Sequence, residues 1–389
     1  MKNGTFRRSL NRNLKIQIAI SNIPPNHLTR SLITVRFTGN NKGMALLITL
    51  SVITVLIAAS LELNRRARVA VFSAAATRDR HTLSAMALSG INLAMAVLVK
   101  DKMESEIDSI QEDWADPDKI SAVIETISFH EGSVTFKIED ELGKVQANAL
   151  VTFPDSQKFN EAQRIMWDRF LRLFISSDLF ETESNPTAII FSVKDWLDSG
   201  DDDAITGLNG AESGYYQDLD PGYPSKNGLF SDLSELLLVK GIMPEFYYGT
   251  KEAPGLSEYM TVYGIKSSGD NKFTFEGKIN INTAKLPVLI ALMPEGYKDL
   301  APLIDEYRKE TSGTEYVHGL SNSTWYKKVP GCGDLKIDPS LITTSSDVFR
   351  IESTAALHDM KLTITSVILR KKDKKDKRWK CKVLSMNSS

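Results

Sequence analysis

Cysteine and histidine are scarce in this 389-residue sequence, which has two of the first and five of the second. The cysteines, Cys332 and Cys381, are too few for a disulfide scaffold or a cysteine-ligated zinc site. An oxidising compartment would permit a single disulfide between them. The histidines are scattered, with no serine, cysteine or aspartate partner at a spacing typical of catalysis. The sequence therefore predicts a protein that is not an enzyme.

Acidic residues are missing from residues 1–43, which carry eight lysines and arginines. Removing this segment changes the formal charge of the chain from −2 to −10, and an acidic protein is not expected to bind nucleic acid in general. Basic, acid-free amino termini also occur in transit peptides and secretory signals, but the apolar run that follows is longer than a signal core. We interpret residues 1–43 as a basic leader.

Charge, glycine and proline are all absent from residues 44–61. A helix of this length measures about 27 Å, close to the hydrocarbon thickness of about 30 Å. No proline occurs between Pro25 and Pro117, and the helical pattern continues to about residue 110. The sequence predicts one long helix over residues 44–112, with its first half in a membrane and the basic end on the cytoplasmic side.

The residues at the start of this helix resemble a known processing site. Lys42, Gly43 and Met44 are similar to the site at which a prepilin peptidase cuts type IV pilins and type II secretion pseudopilins and methylates the new amino terminus. The resemblance implies a cut between Gly43 and Met44. Most of these subunits have glutamate as the fifth mature residue, where it neutralises the amino terminus of the subunit ahead, but this sequence has Ile48. In lacking this glutamate, the sequence resembles the tip subunit, the K-type minor pseudopilin, which has no subunit ahead of it.

The leader is long for these families. We hypothesise that translation starts near Val35, which would leave a leader of nine residues before the cut. Mass spectrometry of the unprocessed protein that detects residues 1–34 would contradict this start.

Short motifs in the rest of the chain resemble the type II secretion K family and occur in the family's order. They are DWLD at 195–198, GAE at 210–212 with YY at 215–216, LSELLLVKGI at 233–242, MTVYG at 260–264 and ININTA at 279–284. The resemblance implies a minor pseudopilin at the tip of the pseudopilus that helps to initiate assembly for export of folded proteins across the outer membrane. It also implies I- and J-type minor pseudopilins, other pseudopilus subunits and prepilin peptidase as partners. The expected location is the bacterial inner membrane, with a single span and the carboxyl-terminal domain in the periplasm.

Small residues on the outer half of the long helix suit close packing against partner helices. The candidates are Ala74, Ala75, Ala85, Ala87 and Ala94.

Segments with the alternation of β-strands lie on both sides of a stretch with helical spacing. Residues 127–148 have the period-two alternation of a hairpin, with a turn at Glu131 and Gly132, and residues 347–355, 361–369 and 379–384 have similar patterns. Helical spacing dominates between them, at 161–175, 189–197, 232–239 and 297–309. The predicted fold is α+β: a pilin-like long amino-terminal transmembrane helix on an antiparallel sheet, with a large, mostly helical insert. The predicted segments are 1–43, 44–112, 113–150, 151–340 for the insert, and 341–389.

Carboxylates concentrate in one part of the insert. Asp195 and Asp198 are three residues apart, so a helix places them on one face. A cation relieves the repulsion in such a group, and oxygen ligands without histidine suit Ca²⁺. The spacing is not that of an EF-hand; the K family resemblance implies calcium in this region, and a solvated acidic turn is the alternative. The candidate ligands are Asp195, Asp198, Asp201, Asp202, Asp203 and Glu212.

Residues 229–242 and 279–295 resemble helix-hairpin-helix segments, which also occur in DNA-uptake receptors. Such motifs hold phosphate through backbone amides beside basic residues, but Glu295 occupies a position where a cation is needed. We interpret both segments as packing units of the insert. A DNA-uptake or type IV pilus minor pilin and a membrane-anchored metal-dependent hydrolase remain as alternative functions. The basic run at 370–382 is interpreted as a loop between two strands.

Overall fold

The structure is a computed structural model that describes residues 41–127, 129–153, 156–175, 185–200, 205–207, 209–267 and 273–389. The chain divides into two units, Met1–Val71 and Phe72–Ser389. The predicted segments 113–150, 151–340 and 341–389 all lie in the second unit, and their boundaries stay predictions.

The described residues contain eight α-helices, six short 3-10 helices and twelve strands. The helices are α1 Asn41–Glu104, α2 Pro117–Glu125, α3 Glu161–Ile175, α4 Pro186–Leu197, α5 Ser213–Gln217, α6 Pro244–Tyr248, α7 Leu286–Leu292 and α8 Ala301–Lys309. The 3-10 helices are Glu141–Gly143, Ala147–Leu150, Leu233–Leu238, Leu256–Glu258, Lys298–Leu300 and Trp325–Lys328. The strands are β1 Ser133–Asp140, β2 Val145–Gln146, β3 Met260–Thr261, β4 Ile265–Ser267, β5 Phe273–Phe275, β6 Ile279–Asn280, β7 Thr311–Ser312, β8 Glu315–Tyr316, β9 Ile342–Thr343, β10 Val348–Leu357, β11 Met360–Lys372 and β12 Trp379–Ser388.

In the first unit, the described residues form the beginning of α1. Its apolar side chains are exposed throughout residues 44–61, and α1 is long and apolar enough to cross a membrane. Just after this run, Arg65 and Arg66 both pair with Glu62, at 2.8 and 2.7 Å. The predicted long apolar amino-terminal helix is therefore confirmed, although it ends at Glu104 and not near residue 110.

In the second unit, a four-stranded antiparallel sheet has the order β1-β10-β11-β12. The end of α1 packs on it, with Leu83, Ile91 and Leu98 in the same apolar cluster as residues of β1 and β10 such as Phe136 and Ile351. Gly90 permits this close approach, because a β-carbon there would lie 2.2 Å from the hydroxyl oxygen of Ser353. The predicted α+β fold, with a helix on an antiparallel sheet, is confirmed.

The predicted hairpin at residues 127–148 is wrong. No strand precedes Glu131 among described residues 127, 129 and 130, and β1 pairs with β10, so that Ile138 lies opposite Ile351. The alternation reveals a strand with one buried face, but it does not reveal a partner that is more than two hundred residues away.

Between β1 and β10, a second and larger apolar cluster forms around α3, α4 and α7. Met166, Trp167 and Phe170 of α3 are fully buried in it, as are Ile189 of α4 and Leu289 of α7. Two predicted helices differ in detail. Residues 233–238 form a 3-10 helix, and residues 298–309 divide into a 3-10 turn and α8 near Pro302.

Both cysteines are free, which corrects the disulfide considered from the sequence. Cys332 is buried in the larger cluster around α3, whereas Cys381 packs against the smaller cluster beneath the sheet. The two thiols therefore belong to different apolar cores, a separation that spacing along the chain does not reveal.

Arg370 of β11 connects the end of α1 to the sheet. Its buried guanidinium donates to the carbonyl oxygen of Leu98 at 2.8 Å, pairs with Asp101 at 3.0 Å and also pairs with Asp108. It lies over the ring of Phe349, 4.7 Å from the centroid. Burial raises the pKa of Asp108 and, with repulsion from neighbouring carboxylates, raises the pKa of Asp101 to about 7. Arg370 is therefore the cation paired with Asp101, and it shares the compensation of Asp108 with Lys102, whose ammonium group is 3.4 Å away.

We expect Arg370→Met to lower the free energy of unfolding by about 3–5 kcal/mol, because it breaks a buried ion-pair cluster. The change leaves the half-buried Asp101 without its cation and leaves the buried Asp108 with Lys102 alone, 3.4 Å away. Urea denaturation of the full chain in non-ionic detergent measures this loss. The matched control is Arg164→Ala, which breaks an exposed pair with Glu161 and should cost less than about 1 kcal/mol. Equal losses in the two variants would contradict the role of Arg370.

Candidate metal centre and processing site

Gly43 and Met44 lie in the first turn of α1. Space around Gly43 is open, since a β-carbon built there meets no atom within 4 Å. Ile48 is one turn further along, and its side chain is 60% exposed. These residues are accessible to an enzyme or a neighbouring subunit, and cleavage between Gly43 and Met44 stays a prediction.

Three of the predicted metal ligands come together at the end of α4. Asp195 lies in the last turn of α4, Asp198 caps that helix, and Glu212 precedes α5 at its amino-terminal cap. Their carboxylate oxygens lie within 4.8 Å of one another, and all three residues are buried. Asp201, Asp202 and Asp203 lie outside the described residues.

Asp195 is fixed by the loop that follows α4. Its carboxylate accepts hydrogen bonds from the backbone N–H groups of Thr206 at 3.1 Å and Ala211 at 2.9 Å. Burial raises the pKa of Asp195, and these donors oppose the shift. Gly210 is needed here for close approach, because a β-carbon at this position would lie 2.0 Å from a carboxylate oxygen of Asp195. The described residues Thr206, Gly210 and Ala211 therefore lie close around this one carboxylate.

Lys194, which was not predicted from the sequence, also belongs to this cluster. Its ammonium group is 2.8 Å from the carboxylate of Asp198 and 3.0 Å from the hydroxyl of Thr206. The spacing of four residues from Asp198 on α4 was the available signal. With Asp195, Asp198 and Glu212 ionised and Lys194 protonated, the formal charge of the cluster is −2, which one divalent cation neutralises.

Aromatic rings hold the two ends of this loop together. Trp196 of α4 contacts Tyr216 of α5 edge to face at 5.2 Å, and Tyr216 stacks on Tyr223 at 5.5 Å. The Tyr216 hydroxyl accepts a hydrogen bond from the backbone N–H of Lys240 at 3.2 Å, and burial raises its pKa. The carboxylates therefore lie on a framework that does not depend on the loop alone.

Gly241, in the first of the two segments that resemble a helix-hairpin-helix, has a positive φ of 87°. Lys240 beside it does not extend into solvent. Its ammonium group lies 4.7 Å from the centre of the Tyr215 ring and 3.4 Å from the carbonyl oxygen of Gly210. This lysine therefore packs on the loop of the carboxylate cluster. The helix-hairpin-helix resemblance of both segments stays a prediction.

Comparison with known proteins connects this arrangement to one family. Residues 143–251, which include the carboxylate cluster, match the family model described as type II secretion system protein K. Type II secretion system protein K of Aeromonas hydrophila is 23% identical over 86% of this chain and 94% of its own length. The protein of the same description from Pseudomonas aeruginosa is 26% identical over 86% and 90%. Over most of its length the chain is similar to type II secretion system protein K. These comparisons support a minor pseudopilin function in type II secretion, as the sequence predicted.

A solved structure is similar to this chain over most of the chain's length. It is the crystal structure of the GspK-GspI-GspJ complex from the type II secretion system of enterotoxigenic Escherichia coli. The TM-score is 0.59 at 16% identity, with coverage of 81% of this chain and 98% of the matched chain. The likeness supports the fold: a long helix on an antiparallel sheet, with an insert between the strands.

Proposed function

We propose that this minor pseudopilin occupies the tip of the type II secretion pseudopilus and helps to initiate its assembly for export of folded proteins. Ile48 at the fifth mature position carries the proposal. A glutamate there would need the amino terminus of a subunit ahead, and an unpaired carboxylate in an apolar environment is costly. Isoleucine removes the need for a forward neighbour. The large insert between β1 and β10 supports the same position, because a bulky domain prevents another subunit from stacking above it.

We infer that the I- and J-type minor pseudopilins are its direct partners, with the other pseudopilus subunits below them. The similar solved chain comes from a complex of K, I and J proteins. The exposed part of α1 supplies small residues such as Ala74 and Ala85 for close helix packing. Ala87 and Ala94 do not serve this purpose, because both are fully buried against the sheet. This corrects the set of alanines chosen from the sequence.

We also propose that the chain is anchored in the inner membrane by residues 44–61, with the second unit in the periplasm. Its amino terminus would be produced by prepilin peptidase, which cuts after Gly43 and methylates Met44. The length and apolar character of α1 support the single span, and the basic leader supports the orientation. We propose no catalytic role for this protein.

We propose that Asp195, Asp198 and Glu212 bind Ca²⁺, with Asp201, Asp202 and Asp203 as further candidates. The donor set fits, because three buried carboxylates within reach of a single ion supply the hard oxygen ligands that calcium prefers. The remaining formal charge of −2 favours a divalent ion. Bound calcium would hold the loop between α4 and α5 closed and so stabilise the insert.

The test of the tip position is Ile48→Glu. We expect the yield of the complex with I- and J-type subunits to fall severalfold, because a carboxylate in the hydrocarbon region costs about 2.5–3.5 kcal/mol when nothing ahead neutralises it. Quantitative co-purification of the three subunits from membranes measures the effect, and Ile48→Leu is the matched control. A yield equal to or above that of the unchanged protein would show that the glutamate finds a partner ahead and would contradict the tip position.

A further inference from the structure

β12 is an edge strand of the four-stranded sheet, and its outer side pairs with none of the described residues. It has ten residues and no proline. Two backbone hydrogen bonds, of 3.1 and 2.9 Å, join Thr363 and Ser389. Because such pairs alternate in an antiparallel ladder, the backbone groups of Ser388 and Met386 point away from β11. An open edge of this kind can accept a further strand.

The second half of β12 has no charged residue that would prevent it from pairing with another chain. Residues 383–388 carry neither acid nor base, and Val383, Leu384 and Met386 are 39%, 37% and 42% exposed. Edge strands commonly carry lysines that prevent pairing with other chains. Here the lysines are confined to the first half of the strand and to the preceding turn, so this half of the edge is available.

The turn between β11 and β12 forms a cationic hairpin, defined here as residues 371–382. It contains eight cations and two acids, and both acids pair with Lys380, Asp373 at 2.9 Å and Asp376 at 2.8 Å. The other cations of the hairpin form no ion pair with the described residues. They are Lys371, Lys372, Lys374, Lys375, Lys377, Arg378 and Lys382, and all are exposed.

Two features show that the positive charge of the hairpin is concentrated locally, although the net charge of the protein is negative. Lys371 lies directly opposite Lys380 in the ladder, and like charges in such pairs are destabilising. Residues 44–389 carry a formal charge of −10, whereas the hairpin alone carries +6. The hairpin is therefore a local cationic surface on an acidic protein, which favours one orientation of an acidic partner.

We propose that the edge of β12 and the cationic hairpin together dock an extended acidic segment of a partner protein. The segment adds a fifth strand to the sheet, covers Val383 and Met386, and places its carboxylates against the lysines of the hairpin. A polypeptide fits this surface better than a nucleic acid does, because only a polypeptide uses the open backbone groups of β12 as well as the cations. Docking is expected to weaken as salt is added.

The probe is a fluorescein-labelled ten-residue peptide of alternating valine and glutamate, titrated with the full chain in non-ionic detergent. Fluorescence anisotropy should show binding at least tenfold tighter than that of a peptide of alternating valine and lysine. The charge reversal Lys374→Glu, Lys375→Glu and Lys377→Glu should weaken binding at least tenfold. Because these residues lie in an exposed turn, the melting temperature of the variant should stay within a few degrees.

Two controls separate docking from general charge attraction. The matched reversal Lys327→Glu, Lys328→Glu and Lys336→Glu changes exposed lysines elsewhere and should alter the affinity less than twofold. Met386→Pro removes one outward N–H from the edge and should weaken peptide binding severalfold, but it should not change binding of a single-stranded oligonucleotide.

Three results would overturn the proposal. The first is equal binding of the acidic and basic peptides. The second is an equal effect of the two charge reversals, or no effect of Met386→Pro, because charge alone would then explain binding. The third is that reversal of the hairpin makes the chain dimerise in analytical ultracentrifugation with no loss of peptide affinity. The hairpin would then act only to prevent edge pairing.

Discussion

Gly43→Val should leave nearly all of the protein as uncut precursor in the membrane, with the processed fraction below about a tenth of that of the unchanged chain. The reason is local to the cut, since a branched side chain beside the scissile bond obstructs a peptidase that accepts glycine. The fold itself does not oppose the change, because a β-carbon at Gly43 meets no other atom. Intact-mass spectrometry of membrane fractions measures the ratio of precursor to a product that begins at Met44.

The matched control for this variant is Gly319→Val. Gly319 is also exposed and also has open space where a β-carbon would lie, but it is far from the cut in sequence. Processing of this control should be complete. Normal maturation of Gly43→Val would count against membership of a prepilin-processed family and against the use of α1 as an assembly helix.

Removal of calcium should lower the melting temperature of the full chain by about 5 °C or more. Binding at a free calcium concentration about 100-fold above the dissociation constant contributes about 2.7 kcal/mol, and a unit of this size loses a few degrees for each kcal/mol. The physical reason is that the three carboxylates of the cluster repel one another when no divalent cation lies among them, since Lys194 offsets only one of their three charges. Differential scanning fluorimetry with calcium and with the chelator EGTA measures the shift.

Variants of the same cluster test whether these carboxylates cause the shift. Asp198→Asn with Glu212→Gln should reduce the difference between calcium and EGTA to about 1 °C or less, because neutral amides repel less and hold the ion poorly. Asp334→Asn with Glu306→Gln changes two exposed acids elsewhere and should leave the difference intact. A melting curve of the unchanged chain that is the same with calcium and with EGTA would exclude the metal site.

Local patterns predicted much of the fold. The apolar run at residues 44–61 and the long proline-free stretch indicate α1, and alternation indicates β10 and β11 within a few residues of their ends. Strand partners were harder to predict. β1 lies opposite β10 because the insert returns the chain to the sheet, and no local signal near residues 127–130 shows this. Pairing over such a distance depends on the tertiary fold.

The candidate site likewise combines features that local sequence predicts with features that depend on the tertiary fold. Spacing correctly suggested that Asp195 and Asp198 lie on one side of a helix end, and the structure brings the predicted Glu212 to them from the amino-terminal cap of α5. Lys194 was overlooked because acidic residues dominate this part of the sequence, although its position on α4 was readable. The contact between Gly210 and Asp195 depends on the path of a loop, which composition does not predict. The separation of Cys332 from Cys381 likewise depends on which core each thiol enters.

The most direct test of the tip position is the location of this subunit on assembled pseudopili. Gold-labelled antibody against an epitope tag in the full chain, viewed by electron microscopy on fibres sheared from cells, gives that location. If the subunit occupies the tip, each fibre carries label at no more than one end and none on the shaft. Label spaced along the shaft, with bare ends, would contradict the tip position, because Ile48 and the insert would then lie beneath another subunit.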